Sequence, residues 1–116
     1  RLGRQAVDGH RTKPDGHDLS WKQIGVLGTL EDKQLPFFIE WKSLDHPSTD
    51  GKAIAKIVKV EIAGDEQRIT DWLGNDLATA LGGEVEVIWL SPADTEGESG
   101  IVAVHLMTPN GVIRLD

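Results

Sequence analysis

The stretch Leu35-Pro36-Phe37-Phe38-Ile39-Glu40-Trp41, followed closely by His46-Pro47-Ser48, constrains this chain more than any other. It is the densest aromatic and apolar run, and it holds both phenylalanines and one of the four tryptophans. A run of this length suits a strand and is too short for a free-standing helix. Pro36 belongs at a strand's start rather than its middle. With period two, Leu35, Phe37, Ile39 and Trp41 share one face, while Pro36, Phe38 and Glu40 share the other. Both faces carry bulk, so the pattern predicts a central strand over Leu35–Trp41 that is covered on both sides. One carboxylate sits in that apolar setting. Burying an unpaired carboxylate is costly, so Glu40 is expected to have a partner, a metal ion or a proton.

Length and charge set the wider bounds. At 116 residues the chain is expected to form one domain with a modest core. A net charge of −7 disfavours nucleic acid and anionic membrane surfaces as partners, because both require a basic patch. No apolar run approaches the ~18 residues needed to span a bilayer. There is no cysteine, which removes disulfides, thiolate metal sites and a thiol nucleophile together. It also fits a reducing compartment, so a cytoplasmic location is expected. The chain opens on Arg1 and carries no signal-like apolar segment, which reads as a processed or excised piece of something longer.

Taken in order, residues 4–11 read as a strand. Lys13-Pro14-Asp15-Gly16 is a turn in which proline presets the first corner and glycine supplies the positive φ. A second strand over 17–27 completes a hairpin, and residues 28–34 form a polar connector. After Trp41, residues 42–52 are a loop by composition. A β-branched alternation over Ile54–Ile62 reads as a strand. Asp65 is a candidate N-cap. Ile69, Trp72, Leu73, Leu77, Ala80 and Leu81 then fall at helical spacing, with Gly74-Asn75 as a bend or break and Gly82-Gly83 as the stop. Strands follow over 84–90, 101–108 and 112–115, separated by an acidic loop and the turn Pro109-Asn110-Gly111. The order is βββ, then βαβββ: an α+β fold with a mixed or antiparallel curled sheet and one helix packed on one face.

Each chemical lead has a plainer counterpart. Glu40 reads as a metal ligand or general base, or as a carboxylate salt-bridged at a strand end. His46 reads as a ligand or acid/base group, or as an exposed turn residue. Ser48 has no nucleophile elbow around it and is most simply a loop hydroxyl. His105 alternates with Ala103 and Met107, and its default reading is a hydrogen-bonded sheet histidine. Trp72 belongs to the core. Trp21, Trp41 and Trp89 fit either a core or the aromatic wall of a small-ligand pocket. Arg114 either forms a surface pair with Asp116 or clamps a ligand carboxylate. No H-x-x-x-H or H-E-x-x-H spacing and no glycine-rich phosphate loop is present.

The order and spacing of Arg11…Lys13-Pro14-Asp15-Gly16…Leu19-Ser20-Trp21, then Leu-Pro-Phe-Phe-Ile-Glu-Trp, then His-Pro-Ser, resemble the glyoxalase-like domain proteins of the vicinal oxygen chelate superfamily. Residues 54–116 look like that superfamily's βαβββ module, and the ending Thr108–Leu115 is similar to its Asp-Pro-x-Gly-x-x-Glu-Leu close. The resemblance implies two modules whose sheets curl round a cleft that binds a divalent metal ion and a small oxygenated substrate. Residues 1–50 would be the last three strands of an incomplete first module. A homodimer, or an N-terminal segment outside this sequence, would then complete it. Metal-dependent members place His, Gln or Glu on the first and last strands of each module. Glu40 occupies one such position. Arg114 stands where the second module's closing carboxylate would be, and Ile54–Ile62 offers no histidine. The loss of these positions counts against a metal site within the chain.

Two kinds of function follow. In one, a small-molecule-binding module uses Trp21, Phe38, Trp41, Ser48 and Arg114 as ligand contacts and needs no metal. In the other, a metal-dependent lyase, isomerase or dioxygenase uses a divalent ion at Glu40 to polarise a carbonyl while Glu40 or His46 moves a proton. A structural half that completes a larger protein is compatible with either. The lost ligand positions favour the binding module.

Overall fold

The computed structural model describes residues 4–44, 46–47, 51 and 54–116. The fold is α+β, with strands in the order βββ followed by βαβββ, as the sequence pattern predicts. The strands form two separate sheets, and the chain divides into two compact units. One comprises Arg1–Glu31 and Pro36–Lys52, the other Asp32–Leu35 and Ala53–Asp116.

The first unit is an antiparallel sheet of β1 (Ala6–Thr12), β2 (Asp18–Ile24) and β3 (Phe38–Trp41), in the order β1-β2-β3. Its hairpin closes where the sequence places the turn. Lys13 N donates to His17 O, and Gly16, at φ 87°, donates back to Lys13 O. The Asp15 side chain accepts from His17 N, and this backbone donor holds its carboxyl below the usual carboxylate range. Thr12 Oγ1 donates to Asp18 Oδ1 across the hairpin mouth. A 3-10 turn, Leu27–Leu30, follows β2. Leu19, on β2, is 1% exposed and anchors this unit.

The second unit is a four-stranded mixed sheet in the order β5-β4-β6-β7, formed by β4 (Lys56–Ala63), β5 (Glu86–Leu90), β6 (Gly100–Thr108) and β7 (Gly111–Leu115). β4 and β5 run parallel and the other pairs antiparallel. Parallel neighbours need a crossover. It is made by α1 (Glu66–Leu73) and α2 (Leu77–Ala80). Asp65 caps α1 by accepting from Gln67 N at 3.0 Å. Gly74, in the left-handed region at φ 79°, ends it. Asp76 then opens α2 by accepting from Thr79 N and Oγ1, and these donors hold its carboxyl below the ordinary range. The apolar stripe read as one helix is therefore two short ones, broken at Gly74-Asn75. Val60 and Ile62 of β4 and Val87 and Trp89 of β5 pack with Ile69, Trp72, Leu73 and Leu77 of the helices.

The run at 35–41 departs from expectation. Leu35 does not begin a strand. It is 1% exposed within the second unit's core, beside Ile62, Ile69 and Trp72. Its neighbours hold it there: Gln34 Oε1 accepts from Asp65 N, and the Asp32 carboxylate pairs with Arg68. The strand proper is only Phe38–Trp41, and it pairs with β2 alone among the described residues. Pro36 has no N–H to extend the ladder. The strand predicted to be central is thus a short edge strand, with Phe37 44%, Phe38 36% and Ile39 38% exposed.

Candidate functional site

On β2, alternation puts Leu19, Trp21 and Gln23 on one face. The register adds Val7 and Gly9 from β1, and Ile39 and Trp41 from β3, to the same face. Trp21 stands directly opposite Trp41, and their ring centroids are 5.4 Å apart at a tilt of 56°. His46 packs on Trp41 in turn, with its ring 4.9 Å from the indole in an edge-on arrangement. Such tilted and edge-on contacts are favoured by the aromatic quadrupole. The row needs a glycine at position 9. A Cβ there would lie 2.2 Å from Cε2 and Nε1 of the Trp21 indole, so only a bare backbone lets the ring lie against β1. The indole Nε1 donates to Gln23 Oε1 at 2.9 Å.

Gln23 connects this row to a cavity of about 410 Å³, lined by residues of the N-terminal segment, β1, the end of β2 and the turn after it. Val7, Val26 and Leu27 give it an apolar wall, and Arg4 and Gln23 contribute polar groups. The sequence reading missed this cavity. Its residues are scattered over Arg4–Asp8 and Gln23–Gly28, and only the β1–β2 pairing brings them together.

Of the residues singled out from the sequence, Trp21, Trp41 and His46 thus come together. Phe38 and Glu40 lie on the opposite face of the same sheet by strand alternation, and Arg114 belongs to the second unit. Ser48 lies outside the described residues. The expectation of a buried carboxylate at 40 fails because its strand is an edge. The Glu40 side chain is 68% exposed and pairs with Lys42 Nζ at 2.5 Å. Lys42 first, and Lys22 opposite it in register, hold its carboxyl below the usual range.

In the second unit, a polar group forms on the sheet face opposite Val60 and Ile62. Glu61 Oε2 on β4 lies 2.7 Å from His105 Nε2 on β6 and accepts from Arg114 Nε on β7, also at 2.7 Å. Arg114 Nη1 donates to Asp116 Oδ2 at 2.6 Å. The two donors, Arg114 before His105, pull the Glu61 carboxyl from 4.5 down to about 2. Glu61 in return raises the pKa of Arg114 further. Neither Glu61 nor His105 stood out in the sequence as a site residue. The available signal was a charged residue on the minor face of an alternating strand, with His105 on the neighbouring strand and register.

Residues 1–77 match the family described as Glyoxalase-like domain. The chain belongs to the glyoxalase-like domain family. The match spans the Trp21–Trp41–His46 row and both segments lining the cavity, and it ends before His105 and Arg114. No curated protein and no solved structure is significantly similar to this glyoxalase-like chain.

The divalent ion that the resemblance implies does not suit the donors among the described residues. Glu61 and His105 are hydrogen-bonded to each other, and a guanidinium occupies the same carboxylate oxygen. Glu40 is flanked by two ammonium groups. A second cation would have to displace these partners. Among the described residues no three His, Asp or Glu converge as metal ligands. No helix among them is long and apolar enough to cross a membrane.

Proposed function

We propose that this glyoxalase-like domain binds a small molecule on its first unit, in the cavity beside the Trp21–Trp41–His46 row, without requiring a metal ion. The observation that carries this reading is the cavity itself. Its volume of about 410 Å³ falls within the range of about 300–1,000 Å³ usual for small-molecule sites. Its lining has the matching character, an apolar wall with a few polar groups. The hydrogen bond from Trp21 to Gln23 links that lining to an aromatic row already held by the tilted Trp21–Trp41 and edge-on Trp41–His46 contacts, so little ordering is left to be done on binding.

The test is a fragment screen read by ¹H–¹⁵N correlation spectra, in which each tryptophan contributes its own indole N–H signal. Fragments that bind here shift the indole signal of Trp21 and leave that of Trp72, buried in the second unit's core, unchanged. Replacing Val7 with a bulkier tryptophan fills the cavity and abolishes the shifts. A screen whose hits move only other residues, or nothing, rejects the site.

A further inference from the structure

We infer that β7, the edge strand of the second unit's sheet, is a self-association surface: the β7 strands of two copies of this chain pair antiparallel about a two-fold axis at Ile113 and join their sheets edge to edge. This involves the second unit alone and does not rest on the small-molecule reading above.

β7 is an edge without protection. It ends the sheet order β5-β4-β6-β7, and among the described residues it pairs with β6 alone. All five of its residues are exposed. Natural edges are blunted by proline, by lysine or by a charge aimed at the incoming strand. Gly111-Val112-Ile113-Arg114-Leu115 has no proline and no lysine. Its one charge is turned inward, since Arg114 Nε donates across β6 to Glu61 of β4 at 2.7 Å. By register, Ile113 and Leu115 share the sheet face of Val60. The helices pack there over β4 and β5, and Ile113 and Leu115 stay exposed.

The turn before β7 sets which of its backbone groups point outward. Thr108 and Gly111 are partners across a loop of only Pro109 and Asn110. They are therefore a hydrogen-bonded pair, because the alternative pattern would need a bond between the two loop residues themselves. Alternation then directs the N–H and C=O of Ile113 and Leu115 toward β6, and those of Val112 and Arg114 out to the open edge.

These outward groups fit a second copy of the same strand. A two-fold axis at Ile113 sets Val112 opposite the partner's Arg114, and Arg114 opposite the partner's Val112. Both pairs consist of outward-facing residues and exchange N–H···O=C bonds. Ile113 meets the partner's Ile113 in the close, non-hydrogen-bonded pair between them. Leu115 lies opposite the partner's Gly111, and a Cβ built on Gly111 would have no atom within 4 Å, so there is room for the leucine. The registers one step to either side are poorer. One sets Arg114 directly against the partner's Arg114, and like charges so placed are destabilising. The other carries Leu115 past the partner's strand to its turn. Val112, Ile113 and Leu115 are thus matched to their own copies, as an isologous interface requires.

Sedimentation velocity of the intact chain over a micromolar-to-millimolar series reads the association. A single introduced cysteine reads the register, since the chain has none of its own. The chain is expected to pass from monomer to dimer over that series. Oxidised with diamide, Ile113→Cys should form a covalent dimer, because a non-hydrogen-bonded pair brings its Cα atoms to about 4.5 Å, within a disulfide's reach. Val112→Cys and Leu115→Cys should not, since neither stands opposite itself. Val112→Pro removes an N–H that β6 does not use. It should weaken dimerisation at least about tenfold and leave the far-ultraviolet circular dichroism of the monomer unchanged. Ile113→Lys sets two ammonium groups face to face and should do the same. A chain that stays monomeric throughout the series overturns the inference. So does a dimer in which the three cysteine variants cross-link alike, or Ile113→Cys not at all, and so does a dimer that tolerates both Val112→Pro and Ile113→Lys.

Discussion

Trp21 and Gln23 face the same way from β2, and the indole N–H of one holds the amide oxygen of the other at 2.9 Å. An aromatic side chain with a polar handle is thereby tied to the wall of a cavity. The consequence can be measured without any ligand. Gln23→Leu removes the acceptor, so the Trp21 indole proton should move upfield and exchange faster with water. The other three indole signals should stay in place. An unchanged Trp21 signal would mean that the hydrogen bond is not formed in solution.

Leu35 and Phe37 are two residues apart in the same apolar run, yet they have different fates. Leu35 is 1% exposed and packs with Ile62, Ile69 and Trp72, whereas Phe37 is 44% exposed. Leu35→Ala should therefore cost about 2–5 kcal/mol, the usual range for a leucine truncated inside a core. Phe37→Ala should cost about 1 kcal/mol or less. Chemical denaturation of the two variants decides the point. The reverse ranking would restore the run as one buried strand.

The contrast also explains what was legible in the sequence. Elements that depend on local chemistry were readable. The turn at Pro14–Gly16, the Asp65 cap, the stop at Gly82-Gly83 and the strand alternation beginning at Ile54 all stand close to where composition put them. What failed depended on long-range choice. Nothing in Leu35-Pro36-Phe37 says that the leucine leaves the strand for a helix-packed core, because periodicity alone does not identify the partner. The exposure of Glu40 escapes the sequence for the same reason, since edge or centre is a property of the sheet. Trp21, Trp41 and His46 each stand out singly in the sequence, but it takes the pairing of β2 with β3 to set the two indoles together, and a ring contact to bring His46 onto Trp41. The Glu61–His105–Arg114 group spans three strands and was invisible until the register was known.

That group sets an acid limit on stability. The Glu61 carboxyl sits near 2 in the folded chain, against an ordinary value of 4.5. A depressed carboxyl stabilises the fold fully above its unfolded value. The contribution is lost as pH falls from about 4.5 towards 2, where the folded form also takes up a proton. Wild type should accordingly lose stability through this window more steeply than Glu61→Gln. The two should differ most near neutrality and converge at the acid end. Denaturant midpoints measured across the window check this. Parallel curves would show that the Arg114 and His105 contacts do not hold Glu61 ionised.

Asp65 offers a simpler test of local chemistry. Its carboxylate accepts from Gln67 N at the start of α1, a helix whose N-terminal N–H groups otherwise lack partners. Asp65→Ala should lower stability by about 1 kcal/mol, and Asp65→Asn should recover most of it, since asparagine caps nearly as well. Equal losses in both would point to charge rather than to the hydrogen bond.

Gly9 is where the aromatic row is most exposed to a single change. A methyl group at position 9 would meet the Trp21 ring at 2.2 Å, so Gly9→Ala has to displace the indole. Glycine within a strand is ordinarily a weakness, and alanine in its place is expected to help through lower chain entropy when the site has room. Here the sign should reverse. Gly9→Ala should destabilise the chain and weaken the far-ultraviolet exciton signal that the tilted Trp21–Trp41 pair, at 5.4 Å, is placed to give. The decisive measurement is a double-mutant cycle with Trp21→Leu, which removes the ring that the methyl would strike. In that background the penalty of Gly9→Ala should disappear. A penalty that persists without the ring would place the cost in the backbone of β1 and detach Gly9 from the row.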